Sequence, residues 1–148
     1  LVGPAYQPSL ERMLESMERE DTTHEFVKYH GSADTKQLYT FLGNADGFVF
    51  ASTCETFGQV LLEAMASGLP VACTNIPVAL SVTEQAFVYF NAEDVNEIVQ
   101  AMKKIMVSPA LRKRLASDAR GIAKKYSPSL NANSTFEFIC NIARGGCK

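Results

Sequence analysis

The chain has 148 residues, 47 % of them hydrophobic, and a formal net charge of −2. This length suits one compact domain with a hydrophobic core. The near balance of acidic and basic residues gives no reason to expect general binding to nucleic acid or to an anionic membrane, and no apolar stretch approaches the ~20 residues that a membrane-spanning helix needs.

The cysteines indicate a reducing environment. Cys54, Cys73, Cys140 and Cys147 show none of the CxxC spacing that metal and redox motifs use. Because Cys54 and Cys73 lie beside or within apolar, strand-like segments, we expect buried, reduced thiols rather than disulfides. The expected compartment is therefore the cytoplasm. The chain also has no Asp-x-Asp motif, so we expect no metal site.

The first third of the chain predicts two strands and two helices. Residues 1–2 are typical of the end of a strand. A helix is expected from about Pro8, because apolar residues recur there at a spacing of three to four. Residues 26–30 predict a strand. Asp34 and Gln37 then form a capping-box pattern, which predicts the start of the next helix.

The middle of the chain predicts three strands and one helix. Residues 47–52 are nearly continuous in apolar character, as expected of a strand that is covered on both faces. The next helix should begin near Gly58 and stop at Ser67, since Gly68 and Pro70 end helices. Two further buried strands are predicted at residues 70–73 and 87–90.

The rest of the chain predicts three helices, each with its own start signal. Asp94 and Glu97 repeat the capping-box pattern. Ser108 and Ser127 are each followed by a proline, which favours the first position of a helix. Apolar residues at helical spacing should give the last helix a buried face: Phe136, Ile139, Cys140 and Ala143.

Strands that alternate with helices predict the α/β fold class, here a Rossmann-like parallel sheet with helices on both faces. In such a sheet, ligands bind outside the carboxyl ends of the strands. The loops that should hold a site are therefore residues 31–33, 52–58 and 74–81.

The loop and helix that follow the first buried strand have the chemistry of a phosphate and sugar site. Gly58 permits close backbone approach as the helix begins. The unpaired N–H groups of the first turn, near Gln59 and Val60, can hold phosphate oxygens with help from the helix dipole. Glu63 lies roughly 7–8 Å further along the helix axis. Glu55 and Glu63 can thus reach one elongated ligand whose phosphates sit at the helix start.

Two carboxylates in this arrangement suit a nucleoside diphosphate sugar. A carboxylate accepts hydrogen bonds from sugar or ribose hydroxyls. It can also stabilise the positive charge that develops at an anomeric carbon during glycosyl transfer. The residues alone leave two plainer interpretations open: Glu63 as a solvated helix residue, and Glu55 as a charge that complements the helix dipole.

The motif resembles that of a known enzyme family. The run ETFGQVLLEAMASGLPV, residues 55–71, is similar to the E-x7-E signature of retaining glycosyltransferases of family 4 (group 1), which have the two-Rossmann-domain GT-B fold. The runs LYTFLGNADGFVFAS before it and VACTNIP after it also resemble this family, and the likeness covers nearly the whole chain. It implies that residues 1–148 are the C-terminal, donor-binding Rossmann-like domain of a hexosyltransferase.

The resemblance implies roles residue by residue. Glu55 would be the catalytic residue, contacting the donor sugar near the reacting carbon, and Glu63 would bind the ribose hydroxyls. Four residues would present amides to the donor sugar and phosphates: Phe57, Gly58, Gln59 and Val60. Three residues would lie near the nucleobase: Gly31, Ser32 and Ala33. The implied substrate is a UDP-, GDP- or ADP-sugar, used without a cofactor because the family is generally metal-independent.

The chain departs from the family pattern in two places. Many relatives carry a glutamate about where Ser81 stands, so a charge is missing there. The family's first strand of this domain, whose loop supplies an arginine and a lysine to the diphosphate, is absent, and so is the N-terminal acceptor domain. We therefore expect a fragment that binds its nucleotide weakly, needs the missing N-terminal domain for transfer, and can associate through the truncated sheet.

Other interpretations stay open. A non-catalytic nucleotide-binding or scaffolding domain, derived from such an enzyme, would keep the fold without the chemistry. A nicotinamide-dependent Rossmann enzyme is disfavoured, because no GxGxxG motif follows a strand. A basic cluster should be a solvated helix surface, with weak peripheral contact at the cytoplasmic membrane face left open: Lys103, Lys104, Arg112, Lys113, Arg114, Lys124 and Lys125.

Overall fold

The computed structural model describes residues 1–3, 7–23 and 25–144. The chain divides into two compact units, Leu1–Gly43 and Asn44–Lys148. Among the described residues, the first unit contains two helices, and the second contains a parallel sheet with five helices.

The helices of the first unit are α1, Gln7–Glu20, and α2, Thr35–Asn44. The capping box predicted at the start of α2 is confirmed. The Gln37 amide donates to Asp34 Oδ1 at 2.8 Å, and the Asp34 amide donates to Gln37 Oε1 at 2.9 Å. These reciprocal bonds satisfy amides that the helix itself leaves unpaired.

The strands predicted in the first unit are wrong. Residues 1–2 and 26–30 have no strand assignment. Backbone hydrogen bonds nevertheless join the two segments: Leu1 N donates to Lys28 O, and His30 N donates to Leu1 O at 2.9 Å. The segments are therefore adjacent, although no strand is assigned to either.

Asp21 explains why the second of these segments starts as a loop. Its carboxylate is buried and accepts hydrogen bonds from the amides of Glu25, Phe26 and Val27 at 3.2, 2.8 and 2.7 Å. Thr23 Oγ1 donates to the same carboxylate at 3.3 Å. Amides that are held by a side chain cannot also donate to a neighbouring strand. The Phe26 side chain is 84 % exposed, unlike that of a residue in a buried strand.

The second unit is built on a three-stranded parallel sheet. Strand β1 spans Phe48–Phe50, β2 spans Val71–Thr74 and β3 spans Val88–Phe90, and their order across the sheet is β1-β2-β3. The central strand β2 pairs in parallel with both neighbours, with Ala72 opposite Val49. All four residues of β2 are buried. The predicted class, an α/β fold with a parallel sheet, is confirmed.

Strand β1 is shorter and less buried than its sequence predicted. The predicted strand covered residues 47–52, whereas β1 contains only Phe48–Phe50. Val49 is 39 % exposed, so the expectation that both faces of this strand are covered is wrong. Among the described residues β1 is an edge strand, and Val49 points to the less covered face of the sheet, opposite that of the buried Phe50.

Helices and one 3₁₀ turn complete the described part of the second unit: α3 (Gln59–Ala66), α4 (Pro77–Val82), α5 (Val95–Val107), α6 (Pro109–Ala123), the 3₁₀ turn (Lys124–Tyr126) and α7 (Pro128–Ala143). The helix starts predicted at Asp94, Ser108 and Ser127 are confirmed, because each side chain accepts a hydrogen bond from a first-turn amide. The predicted end of α3 is confirmed as well. Gly68 follows it with φ 74°, the left-handed conformation that glycine adopts after helices.

Two predicted details are corrected. The Glu97 carboxylate accepts from Asn91 N at 2.7 Å rather than from Asp94 N, so only the forward half of that capping box forms. The loop predicted at residues 74–81 is mostly helix. Pro77 occupies the first turn of α4, where its fixed φ favours a helix.

The core of the second unit lies between the sheet and helices α3, α5 and α6. Five of its fully buried side chains come from the sheet, α3 and α6: Leu61, Met65, Val71, Phe90 and Leu115. Burial of these apolar groups supplies the main stabilising free energy of the unit. The sheet, α3 and α6 therefore form a fixed frame.

Helix α7 does not have the buried face that its sequence predicted. Several of its large apolar side chains are exposed: Leu130, Phe136, Phe138, Ile139 and Ile142. An amphipathic pattern indicates that one face of a helix packs against an apolar partner, but it does not identify that partner. Within the described residues, the apolar face of α7 is uncovered. None of the described helices is long and apolar enough to span a bilayer.

We predict that ionisation of Asp21 stabilises the first unit. Backbone amides, that of Val27 above all, hold the pKa of Asp21 below its ordinary value. Such a carboxylate stabilises the fold above its unfolded-state pKa of about 4, and this stabilisation is lost as pH falls through the lower folded-state pKa. Asp21→Asn should lower the melting temperature at neutral pH, because the new NH₂ group would face N–H donors.

The difference between wild type and Asp21→Asn should shrink as the solution is made acidic. Circular dichroism melts over a pH series measure it, with Glu15→Gln as the control because Glu15 is an exposed carboxylate of α1. Equal melting temperatures of Asp21→Asn and wild type at neutral pH would contradict the prediction.

Candidate functional site

The site predicted from the sequence lies where the strands of the second unit end. Because β1, β2 and β3 are parallel, their carboxyl ends share one edge of the sheet. The loop from Ala51 to Gly58 follows β1, and Asn75 follows β2. The hydroxyl of Thr74, the last residue of β2, is buried at this end and has no hydrogen-bond partner in the described structure.

Glu55 folds back onto the loop that carries it. Its Oε1 accepts hydrogen bonds from the amides of Thr56 at 2.9 Å and Phe57 at 3.4 Å. The amides of Thr56, Phe57 and Gly58, in that order of effect, lower the pKa of Glu55. The carboxylate is therefore ionised at neutral pH, as a group that stabilises positive charge must be.

Gly58 is required for its backbone conformation. It is the N-cap residue of α3, with φ 80° and ψ 44° in the left-handed region. A Cβ added there would lie 3.6 Å from Leu61 Cβ and 3.8 Å from Glu55 Cγ, which are ordinary contacts. The left-handed φ, rather than lack of space, is thus what favours glycine. This conformation turns the chain from the Glu55 loop into the helix.

The first turn of α3 presents amides to the same region. The first backbone bond of the helix runs from Leu62 N to Gly58 O at 3.1 Å, so the amides of Gln59 and Val60 precede it. Amides at this position have no partner within a helix, and the dipole favours an anion there. The Val60 side chain packs against the core, so its backbone alone is offered to a ligand.

Glu63 is half-buried and shares a face of α3 with Gln59. Gln59 Nε2 lies 3.5 Å from Glu63 Oε1, at the limit of a hydrogen bond. The structure therefore brings the predicted site residues together in two groups. Glu55 contacts the amides of the loop, and Glu63 contacts the Gln59 side chain one helical turn from the start of α3.

The three residues predicted to lie near a nucleobase belong to the first unit. Gly31 has φ 67°, in the left-handed region, and its carbonyl accepts a hydrogen bond from Gly3 N at 2.8 Å. Ser32 is exposed and Ala33 is half-buried. Their proposed role beside a nucleobase stays a prediction.

One neighbour of the site was not predicted. The Phe57 ring contacts the Tyr126 ring, with centroids 6.2 Å apart and planes inclined by 70°. Tyr126 ends the 3₁₀ turn that follows α6, and no local sequence pattern links it to Phe57. A contact between residues so far apart in sequence is visible only once the helices are packed.

A cavity of about 430 Å³ lies elsewhere in the second unit. Its lining includes Gly47 and Phe48, so it is at the amino end of β1, and Met106 and Arg112 line its other side. No residue of the 55–63 segment lines it. Within the described residues, no three His, Cys, Asp or Glu side chains are grouped in a way that could hold a metal ion.

The basic cluster is partly engaged in internal contacts. Arg112 Nη1 donates to the carbonyls of Ile105 at 2.9 Å and Met106 at 2.6 Å, which satisfies the end of α5. Lys125 Nζ lies 2.6 and 2.8 Å from the two carboxylate oxygens of Glu84. The expected solvated surface is therefore confirmed at Lys125, which is exposed, but not at Arg112, which is half-buried. Contact with a membrane stays a prediction.

Comparison with solved structures shows the fold. The structure aligns with Anabaena HepE, solved in complex with UDP and glucose, with a TM-score of 0.79 over 95 % of this chain and 39 % of that one, at 20 % identity. It aligns with sucrose-phosphate synthase of Thermosynechococcus elongatus with a TM-score of 0.74 over 96 % of this chain and 38 % of that one, at 24 % identity. Both alignments are below 25 % identity and show a shared fold, which confirms the predicted Rossmann-like architecture.

Comparison of sequences shows the family. A family model described as glycosyl transferases group 1 matches residues 1–121, and the chain therefore belongs to the group 1 glycosyltransferase family. Sulfoquinovosyl transferase SQD2 of Arabidopsis thaliana is 30 % identical over 129 residues, which cover 84 % of this chain and 24 % of that protein. O-antigen chain mannosyltransferase B of Escherichia coli is 27 % identical over 124 residues, or 84 % and 32 % of the two. The chain thus spans about a quarter to a third of the length of these relatives.

The thiols of the second unit should differ in reactivity. Cys54, Cys73 and Cys140 are free, and Cys147 lies outside the described residues. The predicted burial is confirmed for Cys73 but wrong for Cys54, which is exposed in the loop beside Glu55. Burial raises the pKa of Cys73 to about 12, so it carries almost no thiolate at neutral pH.

We predict that N-ethylmaleimide modifies Cys54 in the folded chain and leaves Cys73 unmodified. Residue-resolved mass spectrometry after brief treatment measures both, and the same reaction in denaturant, where both should react, is the control. Equal labelling of Cys73 and Cys54 in the native chain would be inconsistent with this assignment.

Proposed function

We propose that the chain is the C-terminal, donor-binding domain of a retaining glycosyltransferase of family 4, which moves a hexose from a nucleoside diphosphate sugar to a glycan, lipid or other acceptor. The observation that carries the proposal is the ionised Glu55, held on loop amides beside the start of α3 at the carboxyl edge of a parallel sheet. Membership of the group 1 family supports a transferase.

The contacts support separate roles for the two acidic residues. Glu55 is negatively charged and belongs to the loop beside which a donor sugar would lie. It can therefore orient the sugar and stabilise positive charge at the anomeric carbon. The amides of Gln59 and Val60 would hold the diphosphate at the start of α3. Glu63, one turn further on, would accept hydrogen bonds from the ribose hydroxyls.

The proposed reaction exchanges one bond at the anomeric carbon for another. The bond from that carbon to the diphosphate oxygen breaks, and the diphosphate leaves with the electron pair. A bond to the acceptor hydroxyl oxygen forms on the same face of the sugar, and the hydroxyl proton passes to the departing diphosphate or to water. The first-turn amides would stabilise the charge that accumulates on the diphosphate.

The acceptor site is proposed to belong to a separate N-terminal domain. This chain spans only about a quarter to a third of the length of its relatives, which leaves room in them for such a domain. The exposed apolar residues of α7 support contact with a further part of such an enzyme. The uncovered edge of β1 supports either a further strand or association between copies.

Binding of a nucleotide should depend on Glu63. Calorimetry with UDP, GDP and ADP identifies which base binds, and we expect Glu63→Gln to weaken that nucleotide roughly ten- to a hundredfold, the loss expected for a hydrogen bond to a charged group. Glu137→Gln is the matched control, because Glu137 is an exposed carboxylate on α7.

The reactivity of Cys54 tests where the nucleotide binds. A nucleotide sugar on the Glu55 loop should slow the modification of Cys54 and leave that of Cys140 unchanged.

Absence of binding by all three nucleotides, even when a family first strand is joined upstream, would favour the scaffolding alternative. Binding that Glu63→Gln does not weaken would contradict the ribose assignment.

The chain by itself should transfer no sugar. In the proposed enzyme, this chain holds the donor site and another domain holds the acceptor site. The chain alone therefore has no site for the acceptor. Incubation with a radiolabelled nucleotide sugar that it binds, in the presence of a mixture of simple sugar and lipid acceptors, should yield no labelled product. Labelled product from the 148-residue chain would overturn this division.

A further inference from the structure

The Glu55 loop is in contact with a part of the fold far from it in sequence. Phe57 is 49 % exposed, and its ring meets that of Tyr126 at a centroid distance of 6.2 Å and an angle of 70°. This is an edge-to-face arrangement, which aromatic rings favour because a positive ring edge meets a negative ring face. Tyr126 is half-buried and packs against the core of the second unit.

Tyr126 is itself held on both sides. It ends the 3₁₀ turn that follows α6, and the next residue, Ser127, caps α7 by accepting from Leu130 N at 3.3 Å. Lys125 pairs with both carboxylate oxygens of Glu84, in the segment between α4 and β3. The 3₁₀ turn is thus connected to two helices and to a distant loop, and it offers Phe57 a fixed partner.

The position of Phe57 determines the geometry of the proposed donor site. Its amide is one of those that hold the Glu55 carboxylate, and Gly58, where α3 is capped, follows directly. A side chain fixed at residue 57 therefore restricts both neighbours through the backbone. Without the contact, the loop would keep only its local hydrogen bonds, which are exposed to water.

We infer that Tyr126 is a positioning residue, whose ring holds Phe57 and thereby aligns Glu55 and the amides at the start of α3. The contribution of Tyr126 to donor binding rests on the proposed function, whereas its effect on the conformation of the loop does not. The ring is the part that makes the contact, so phenylalanine at this position should replace tyrosine and alanine should not.

Two measurements on the chain test the loop directly. A carboxyl ¹³C NMR titration follows Glu55, and hydrogen exchange follows the amides of residues 56–58. In Tyr126→Ala, the pKa of Glu55 should rise toward the ordinary glutamate value as amide hydrogen bonds are lost. Exchange at residues 56–58 should quicken roughly two- to tenfold, the factor that such a ring pair contributes. Tyr126→Phe should keep the wild-type Glu55 pKa and the wild-type exchange rates. Tyr39→Ala, at an exposed tyrosine of α2, should change neither quantity.

Hydrogen exchange at the amides of β2 distinguishes global unfolding from a local loss of order in the Glu55 loop. These should keep wild-type protection in Tyr126→Ala if only the loop is affected. If this variant does not fold, Phe57→Ala removes the other ring from its exposed side and should give the same two changes. Where Tyr126→Ala does fold, adding Phe57→Ala to it should change neither measurement further. A folded Tyr126→Ala chain with a wild-type Glu55 titration and wild-type exchange at 56–58 would overturn the inference.

Binding of UDP, measured on the same samples, keeps the two proposals apart. If wild type binds UDP, Tyr126→Ala should weaken it by a similar factor and Tyr126→Phe should not, and an unchanged affinity would overturn a positioning role for the donor. If UDP, GDP and ADP all fail to bind, even when a family first strand is joined upstream, the proposed function fails, while the titration and exchange results still decide whether Tyr126 holds the loop.

Discussion

The contact between the Glu55 carboxylate and the amides of its own loop is the interaction on which the candidate site depends. It fixes the direction of the loop amides and lowers the pKa of the carboxylate. It also limits what those amides can do, because an N–H that donates to Glu55 is not free to donate to a phosphate. The amides of Gln59 and Val60, which begin α3, are therefore better suited to the diphosphate than that of Phe57.

The surrounding fold makes this interaction possible. Because the strands are parallel, their carboxyl ends lie at the same edge of the sheet. The loop after β1 therefore lies at the edge where β2 and β3 also end. Gly58 then turns the chain into α3 through a left-handed conformation that residues with a Cβ adopt only at a cost. Leu61 and Met65 are fully buried, so the helix that carries Glu63 is anchored in the core.

Much of the fold was predictable because local chemistry sets helix ends. Ser108, Ser127 and Gly68 act where the sequence placed them, since a cap or a left-handed glycine needs only neighbouring residues. The failures have tertiary causes. Asp21 takes the amides that a strand at 26–30 would need, and the exposure of Val49 and of α7 depends on what packs beside them. A single sequence shows an apolar face without showing its partner.

The site divides in the same way. The seven residues between Glu55 and Glu63 predicted a loop carboxylate followed by a helical one, and local geometry fixes both. The contact of Tyr126 with Phe57 could not be predicted, because it depends on how α6 packs beside α3. The difference between the two acids also emerges only in the structure: Glu55 is held by backbone amides, whereas Glu63 meets a flexible glutamine side chain at 3.5 Å. A fixed charge suits a reacting carbon, and an adaptable acceptor suits hydroxyl groups, so the environment of each carboxylate favours the role proposed for it.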